Sequence, residues 1–178
     1  MSAELLAGEQ LEGQVLYERQ KEMRGAGAYL PGPPIVAVGL QVPENIGSVL
    51  RLADAAGSQR VIFLNHAASD LARVRRAARN CDALVKWEFL SQEEFLAEIA
   101  PSLPQLIALE LTTRSLSIFK ANLPEQCAFV IGSERYGIPP SVLAECQQAV
   151  HIPMYGVNGS MNVTHALAVA LFEWRRQH

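Results

Sequence analysis

Two loops in the last third of the chain carry the polar side chains that could do chemistry. The first follows an apolar run and holds Ser133, Glu134 and Arg135 between two glycines, in the sequence I-G-S-E-R-Y-G. The second follows Ile152 and reads P-M-Y-G-V-N-G-S-M-N. In parallel α/β proteins, ligands bind where such loops gather at the carboxyl ends of the strands. We therefore expect a binding or catalytic site where these two loops meet.

The first loop has the spacing G-x-x-x-x-G of a phosphate-binding loop. A phosphate-binding loop continues with Lys and then Ser or Thr, whereas Ile138 and Pro139 follow Gly137 here. This difference argues against a nucleoside triphosphatase. Taken alone, the loop favours a plain strand-to-helix turn after a buried strand over 127–131, with Pro139 or Pro140 at the first helical position.

The second loop leads directly into the final helix. Pro153 ends the preceding strand because proline cannot donate to the ladder, and Ser160 or Asn162 can cap a helix that begins near Val163. The apolar positions of this helix cover more than one face, so we expect its own sheet and a partner subunit to enclose it. They are Val163, Ala166, Leu167, Val169, Ala170, Leu171, Phe172 and Trp174.

A third segment, P-E-N-I-G-S-V-L-R, lies far upstream and ends at Arg51. Asn45 can cap a helix that begins here and runs to about Ala56. Gly47 and Arg51 share one face of this helix, which would leave room for a ligand beside the arginine. The alternative is an ion pair within the helix between Arg51 and Asp54.

The remaining segments alternate between strand and helix. This alternation predicts an α/β fold with a mostly parallel sheet flanked by helices. Ser69 or Asp70 can cap a basic helix, and Ser91 opens a capping-box helix that Pro101 ends. The other predicted strands are 35–40, 61–64, 85–90 and 106–109, and a further helix is predicted over 3–24, before the proline-rich linker 31–34.

The three segments resemble the motifs of a known family. I-G-S-E-R-Y-G-I-P and H-I-P-M-Y-G-V-N-G-S-M-N-V-T-H-A are similar to the two C-terminal motifs of the SPOUT superfamily, in its SpoU or TrmH-like branch of RNA ribose 2'-O-methyltransferases. P-E-N-I-G-S-V-L-R resembles the arginine motif of that branch. The resemblance covers the chain from about Ile35, so we expect an N-terminal helical extension with linker, 1–34, and a SPOUT-type methyltransferase domain, 35–178.

The resemblance implies a C-terminal trefoil knot, S-adenosylmethionine as cofactor, RNA as substrate, and a homodimer in which the arginine of one protomer reaches the cofactor of the other. The implied catalytic residues are Arg51, Asn45, Glu134 and Asn162, and the implied cofactor-binding residues are Leu109, Gly132, Ile152, Ser160 and Met161. Because a guanidinium is a poor proton acceptor at pH 7, we expect Arg51 to clamp phosphate and stabilise the developing alkoxide.

The charge distribution bears on the substrate. The net charge of −3 is unfavourable for a nucleic-acid binder, but the basic residues are unevenly placed. A dense basic stretch, opposed in its own segment by Asp82 alone, is predicted to hold RNA phosphates, with an ordinary solvated helix face as the alternative. It comprises Arg73, Arg75, Arg76 and Arg79. The shortness of the chain favours a compact target, tRNA rather than rRNA.

The composition limits the classes of protein to which the chain can belong. The chain has 178 residues, 49% of them hydrophobic, as expected for one globular domain. No apolar run reaches ~18 residues and no secretory pattern opens the chain, so we expect no membrane span and a cytoplasmic protein. Its three cysteines have no metal-binding spacing, which predicts reduced structural thiols and no metal. His165 is interpreted as a packed or interface histidine.

Two other functions stay open from the sequence. A SPOUT-fold base methyltransferase would share the fold but lack the arginine helix. A catalytically silent RNA-binding module would bind no S-adenosylmethionine.

Overall fold

The computed structural model describes residues 8, 10–65 and 70–178. The chain divides into two compact units, residues 1–30 and 31–178. The first unit contains helix α1, Gly13–Gly25, whose described side chains are almost all exposed. The helix predicted over 3–24 is therefore shorter at its start, because Gly8 has a φ of +79° and the described residues between it and α1 are not helical. Residues 3–7 and 9 of that prediction lie outside the described part.

The second unit is built on a sheet of seven parallel strands, in the order β3-β2-β1-β6-β4-β7-β5. The strands are β1 Ile35–Val38, β2 Arg60–Leu64, β3 Lys86–Leu90, β4 Gln105–Leu109, β5 Leu116–Ser117, β6 Cys127–Ile131 and β7 Gln148–His151. The predicted parallel α/β fold is confirmed. β1 ends two residues earlier than predicted, because Gly39 has a φ of +65°. Sequence patterns did not predict β5, which is too short to show any periodicity.

Helices cover both faces of the sheet. They are α2 Pro43–Ala55, α3 Leu71–Ala78, α4 Gln92–Glu94, α5 Pro140–Leu143 and α6 Val163–Gln177, with a 3-10 turn over Cys81–Ala83. α4 continues as a π-helical turn, Phe95–Ile99, and a 3-10 turn, Ala100–Ser102. Three of the predicted caps are present: Asp70 accepts from the Arg73 N–H, Ser91 forms a capping box, and Asn162 accepts from the Thr164 N–H. In the part of the chain that the structure describes, no helix could span a membrane.

The core has two layers because successive strand residues point to opposite faces. Ile35 and Ala37 of β1 pack with α2, α3 and α6, whereas Val36 and Val38 pack with the π-helical turn and α5. This arrangement explains the continuous apolar runs of the strands. Burial raises the pKa of the Cys127 thiol to about 12, so this thiol stays protonated at neutral pH, as expected of a structural cysteine.

Helix α2 differs from its prediction in two respects. It begins at Pro43 with Val42 as the capping residue, so Asn45 lies inside the first turn and does not cap the helix. Gly47 is buried against α3, where an added Cβ would collide with Ala77 and with the backbone oxygen of Val74. The glycine therefore serves close packing of α2 against α3, and the predicted room for a ligand at this position is wrong.

Helix α6 is held at its C-terminal end by hydrogen bonds to distant segments. The Trp174 indole N–H donates to the Pro124 carbonyl at 3.0 Å, and Arg175 donates to the Ala56 carbonyl at 2.9 and 2.6 Å. Gln177 donates to the carboxylate of Glu173, which is only 8% exposed. Hydrogen bonds from Arg176, and then from Gln177, lower the pKa of Glu173 to about 2.

We predict that Glu173→Gln makes unfolding easier at pH 7, and that this effect shrinks as the pH falls below 4.5. The folded-state pKa of about 2 lies below the ordinary value of 4.5, so the carboxylate stabilises the fold above pH 4.5 and loses this contribution as the pH falls toward 2. Urea unfolding of both proteins from pH 7 down to about 3 measures the difference. Glu98→Gln, at an exposed position, is the control and should change little. A difference that is constant with pH would contradict this role.

Candidate functional site

The carboxyl ends of β6, β4 and β7 lie side by side at one edge of the sheet. β4 is paired with β6 through Ala108 and Val130, and with β7 through Leu109 and Val150. The loops that begin after these three strands therefore start next to one another. This is the edge at which ligands bind in parallel sheets, as the sequence indicated.

The loop after β6, residues 132–137, closes on itself. The Ser133 N–H donates to the Gly137 carbonyl at 3.2 Å, the Gly137 N–H donates back at 3.0 Å, and the Tyr136 N–H donates to Ser133 Oγ at 3.1 Å. A Cβ on Gly132 would overlap the carbonyl group of Gly137, so only glycine fits there. α5 starts at Pro140, which confirms the predicted strand-to-helix turn with proline at the first helical position.

Glu110 joins this loop to β4, a link that the sequence did not reveal. Its carboxylate accepts from the Ile138 N–H at 3.2 Å and from the Leu111 N–H at 3.0 Å. Its own N–H donates to the Val150 carbonyl of β7 at 2.9 Å. Gly137 admits the carboxylate, since an added Cβ would lie 2.6 Å from Glu110 Oε2. One residue thus contacts the loops after β4 and β6 and the end of β7.

Three of the four predicted catalytic residues form one hydrogen-bonded chain. The Asn45 amide donates to Glu134 Oε1, and the Asn162 amide donates to Asn45 Oδ1 at 3.4 Å. Asn162 Oδ1 in turn accepts from the backbone N–H and the hydroxyl of Thr164, at 2.8 and 2.6 Å. These hydrogen bonds join the start of α2, the loop after β6 and the start of α6. All three sequence motifs therefore meet at one point.

These hydrogen bonds fix the orientation of two amides and a carboxylate. Asn45 is 9% exposed and uses both ends of its amide within the chain. Glu134 is exposed and uses one carboxylate oxygen, so its second oxygen can accept a hydrogen bond from a hydroxyl group of a ligand. The arrangement suits a substrate that is held by directed hydrogen bonds.

Arg51, the fourth predicted catalytic residue, does not take part in the hydrogen bonds among Glu134, Asn45 and Asn162. It is exposed on α2 and forms no hydrogen bond or ion pair with any residue that the structure describes. Asp54 instead accepts a hydrogen bond from the Cys81 thiol at 3.8 Å. Burial and then Asp54 raise the pKa of Cys81, and the positive charge of nearby Arg51 opposes this increase. The alternative from the sequence, an ion pair between Arg51 and Asp54, is therefore not formed within the described residues.

The residues that the family resemblance assigns to S-adenosylmethionine lie at the same sheet edge. Leu109 and Ile152 are half-buried and pack on the same side of the sheet, where they form an apolar surface. Ser160 and Met161 belong to the exposed loop between β7 and α6. Residues 154–161 of this loop form no hydrogen bond within the described ranges, so their backbone groups are available to a ligand. Apolar walls and free backbone groups suit an adenosine with an amino-acid tail.

The predicted RNA-binding arginines are all exposed, but two of them are paired. Arg73 donates twice to Glu44 of α2, at 2.9 and 2.7 Å, and Arg75 lies 3.7 Å from Asp82. Asp82 is the acidic residue within that segment, and the packing of α3 on α2 brings a second carboxylate, Glu44, to the basic stretch from outside it. Arg76 and Arg79 make no ion pair with the described residues.

Two further expectations concern histidine and metal. His165 is exposed on α6, so it is not packed among the described residues, and its place at an interface stays a prediction. Across the described residues, no cluster of three or more His, Cys, Asp or Glu side chains could hold a metal ion.

Known proteins are similar to this chain in sequence and in fold. The model of the SpoU rRNA Methylase family matches residues 33–172. The chain is 31% identical to the 23S rRNA (guanosine-2'-O-)-methyltransferase RlmB of Neisseria meningitidis serogroup B, over 83% of this chain and 60% of that protein. It thus spans less than two thirds of that relative's length.

Two solved structures are also similar. The SpoU methyltransferase AviRb from Streptomyces viridochromogenes, in complex with AdoMet, matches with a TM-score of 0.72 and 25% identity, over 84% of this chain and 62% of that chain. A structure described as giving insights into the 2-OH methylation of C/U34 on tRNA matches with a TM-score of 0.68 and 28% identity, over 81% of this chain and 94% of that chain.

We predict that Gly132→Ala destabilises the protein by about 1–3 kcal/mol, because the added Cβ has to displace the backbone of Gly137. Gly159→Ala is the matched control, since a Cβ there meets no atom within 4 Å. Urea unfolding of both variants measures the free energies. Equal, small effects would show that the loop after β6 is not as tightly closed as described.

Proposed function

Because the chain belongs to the SpoU rRNA Methylase family, we propose that it transfers the methyl group of S-adenosylmethionine to a ribose 2'-hydroxyl of RNA. The observation that carries the proposal is the chain of hydrogen bonds from Glu134 through Asn45 to Asn162. It joins the three motifs at the sheet edge where the loops after β4, β6 and β7 begin.

In this proposal the cofactor lies among those loops and supplies an electrophilic methyl group. Leu109, Ile152 and Met161 would hold its apolar parts. The free backbone groups of residues 154–161 would bind its polar groups. Gly132 contributes by allowing the loop after β6 to fold back on itself, which keeps the loop in place.

Arg51 is proposed to act on the RNA. A guanidinium keeps its proton at pH 7, so it stabilises negative charge and does not remove the hydroxyl proton. Its planar fork can hold a phosphate beside the target ribose and stabilise the oxygen as that oxygen becomes the nucleophile. The proton then leaves to a phosphate oxygen or to water. Glu134 and Asn45 position the nucleotide through hydrogen bonds.

We further propose that the active protein is a homodimer. Within one chain, Arg51 lies outside the hydrogen-bonded cluster, so the partner's Arg51 is the candidate for completing the site. Exposed apolar surface on α6 supports this assembly: Phe172 is 51% exposed and Val169 is half-buried, next to exposed His165. The C-terminal trefoil knot, the cytoplasmic location and the absence of a metal stay predictions.

A tRNA is the proposed substrate in preference to rRNA. Support comes from a similar solved structure, described as giving insights into the 2-OH methylation of C/U34 on tRNA. Arg76 on α3 and Arg79 directly after this helix provide positive charge that the described residues do not neutralise.

The proposal is tested by incubating the purified protein with methyl-labelled S-adenosylmethionine and RNA from cells that lack the protein. Label should appear in tRNA, and mass spectrometry of the digested RNA should find a 2'-O-methylated nucleoside. Label on a base would favour a base methyltransferase. Failure of the protein to bind S-adenosylmethionine in a titration would rule out both enzymes.

We predict that Arg51→Ala loses about 3 kcal/mol or more of transition-state stabilisation, while Arg51→Lys keeps part of the activity. Lysine retains the positive charge but loses the fork. Steady-state kinetics with tRNA measure both variants, and S-adenosylmethionine affinity should be nearly unchanged in each. A large loss of cofactor affinity would move Arg51 from catalysis to cofactor binding. Activity of Arg51→Lys that rises toward pH ~10.4 would instead identify the residue as the base.

We predict that replacing both Arg75 and Arg76 with alanine lowers the salt dependence of tRNA binding by up to about two units of slope, close to one for each phosphate that the protein no longer neutralises. Arg73 is left intact because its pair with Glu44, at 2.7 Å, joins α3 to α2, whereas Arg75 lies farther from Asp82, at 3.7 Å. Lys120→Ala, at an exposed position outside α3, is the control and should leave the slope unchanged. An unchanged slope in the double variant would mean that the basic stretch is only solvated.

We predict that Phe172→Glu shifts the protein from dimer to monomer at micromolar concentration, because a buried carboxylate at an apolar interface is unfavourable. Leu84→Glu is matched in exposure, at 50% against 51%, and should leave the association unchanged. Light scattering measures both. A wild-type monomer would contradict the proposed dimer and the sharing of Arg51.

A further inference from the structure

The loop after β6 displays an exposed aromatic ring beside the hydrogen-bonded cluster. Tyr136 is 77% exposed and comes two residues after Glu134. The Arg135 guanidinium lies over the ring, with its central carbon 5.3 Å from the ring centroid. Since the arginine can cover only one face of the ring, the high exposure leaves the other face open.

The backbone that carries this ring is held at several points. Ser133 and Gly137 exchange two backbone hydrogen bonds, and the Tyr136 N–H itself donates to Ser133 Oγ. Just beyond the loop, the Ile138 N–H donates to the carboxylate of Glu110. Because this backbone is already ordered, binding of a ligand to the ring costs little backbone conformational entropy.

We propose that Tyr136, with Arg135, is a preformed stacking platform for an unpaired base of the RNA, next to the methylated nucleotide. This inference rests on the proposed function for the identity of the ligand. An open aromatic face binds any nucleobase by stacking, and a guanidinium on the other face adds positive charge that attracts the neighbouring phosphate.

The surroundings of the ring favour a base over a protein side chain. The Arg135 guanidinium lies over the ring, and the same loop carries the Glu134 carboxylate, to which the buried Asn45 amide donates. Polar groups of this kind match the hydrogen-bonding edges and phosphates of a nucleotide. An apolar protein partner would leave these charges desolvated without partners, which is unfavourable.

The platform defines a class of substrate. A base inside a duplex is stacked between its neighbours and does not present its face to a protein ring. The target nucleotide should therefore lie in a single-stranded loop or bulge of the RNA, where an adjacent base can turn out onto Tyr136.

The test compares Tyr136→Leu, which keeps apolar bulk but removes the aromatic face, with Tyr136→Phe, which keeps the face. Binding of a short single-stranded RNA of mixed sequence is measured by fluorescence anisotropy without cofactor, and the same RNA in duplex form is measured alongside. Tyr136→Leu should weaken single-stranded binding roughly 5- to 150-fold. Tyr136→Phe should bind like the wild type, and duplex binding should be unaffected in both.

Two further readouts separate the platform from a structural role and from the proposed function. In methyl transfer to tRNA, Tyr136→Leu should lower kcat/KM by a similar factor while S-adenosylmethionine affinity stays unchanged. If the wild type binds single-stranded RNA through Tyr136 but methylates none, the proposed function fails and the platform stands. The platform is refuted by equal binding of the Leu and Phe variants, by wild-type protein that binds no single-stranded RNA, or by a change of association state in Tyr136→Leu.

Discussion

The site depends on one buried amide that bonds to two distant parts of the chain. Asn45 contacts Glu134 across 89 residues of sequence and Asn162 across 117. A buried amide without one of its partners has an unsatisfied group, which costs about 1–3 kcal/mol. The start of α2, the loop after β6 and the start of α6 are therefore held together. Asn162 serves both this contact and the cap of α6, so helix formation and site formation are coupled.

Rigidity at the sheet edge has a second source in glycine and carboxylate contacts. Gly132 and Gly137 let the loop after β6 pack backbone against backbone, and Glu110 uses the space that Gly137 leaves. The same closed loop holds Glu134 toward the cluster and Tyr136 toward solvent. The loop before α6 has no comparable contacts among the described residues, which is consistent with a segment that is completed by its ligand. Rigid and open elements thus lie next to each other at one edge.

The arginines of the basic helix α3 and its C-terminal end have two different roles, which depend on whether a carboxylate pairs with them. Arg73 and Glu44 form an ion pair between α3 and α2, so this arginine contributes to packing. Arg76 and Arg79 remain exposed at the end of the same helix and can meet an anionic partner. A protein with a net charge of −3 can therefore present a local positive surface. A net negative charge is unfavourable for long-range attraction of RNA, so the proposed RNA binding would rely on directed contacts, such as stacking and bidentate clamps.

The sequence alone determined the features that depend on near neighbours. Apolar runs predicted the buried parallel strands, capping residues predicted the starts at Asp70, Ser91 and Asn162, and three motifs indicated the family and the residues of the site. These features rest on local backbone geometry, which a short stretch of chain specifies. The positions of the strand and helix ends were less accurate where a glycine with positive φ, such as Gly39, ended an element early.

Only the tertiary structure decided which residues meet. Asn45 makes a tertiary contact and does not cap α2, and Gly47 packs against α3 and leaves no cleft. Glu110 links the loops after β4 and β6, and Glu44 neutralises Arg73. Each of these contacts joins segments between 28 and 117 residues apart or depends on how closely two elements approach. Periodicity and spacing carry no information about such distances, because they are set by the packing of the whole sheet and its helices.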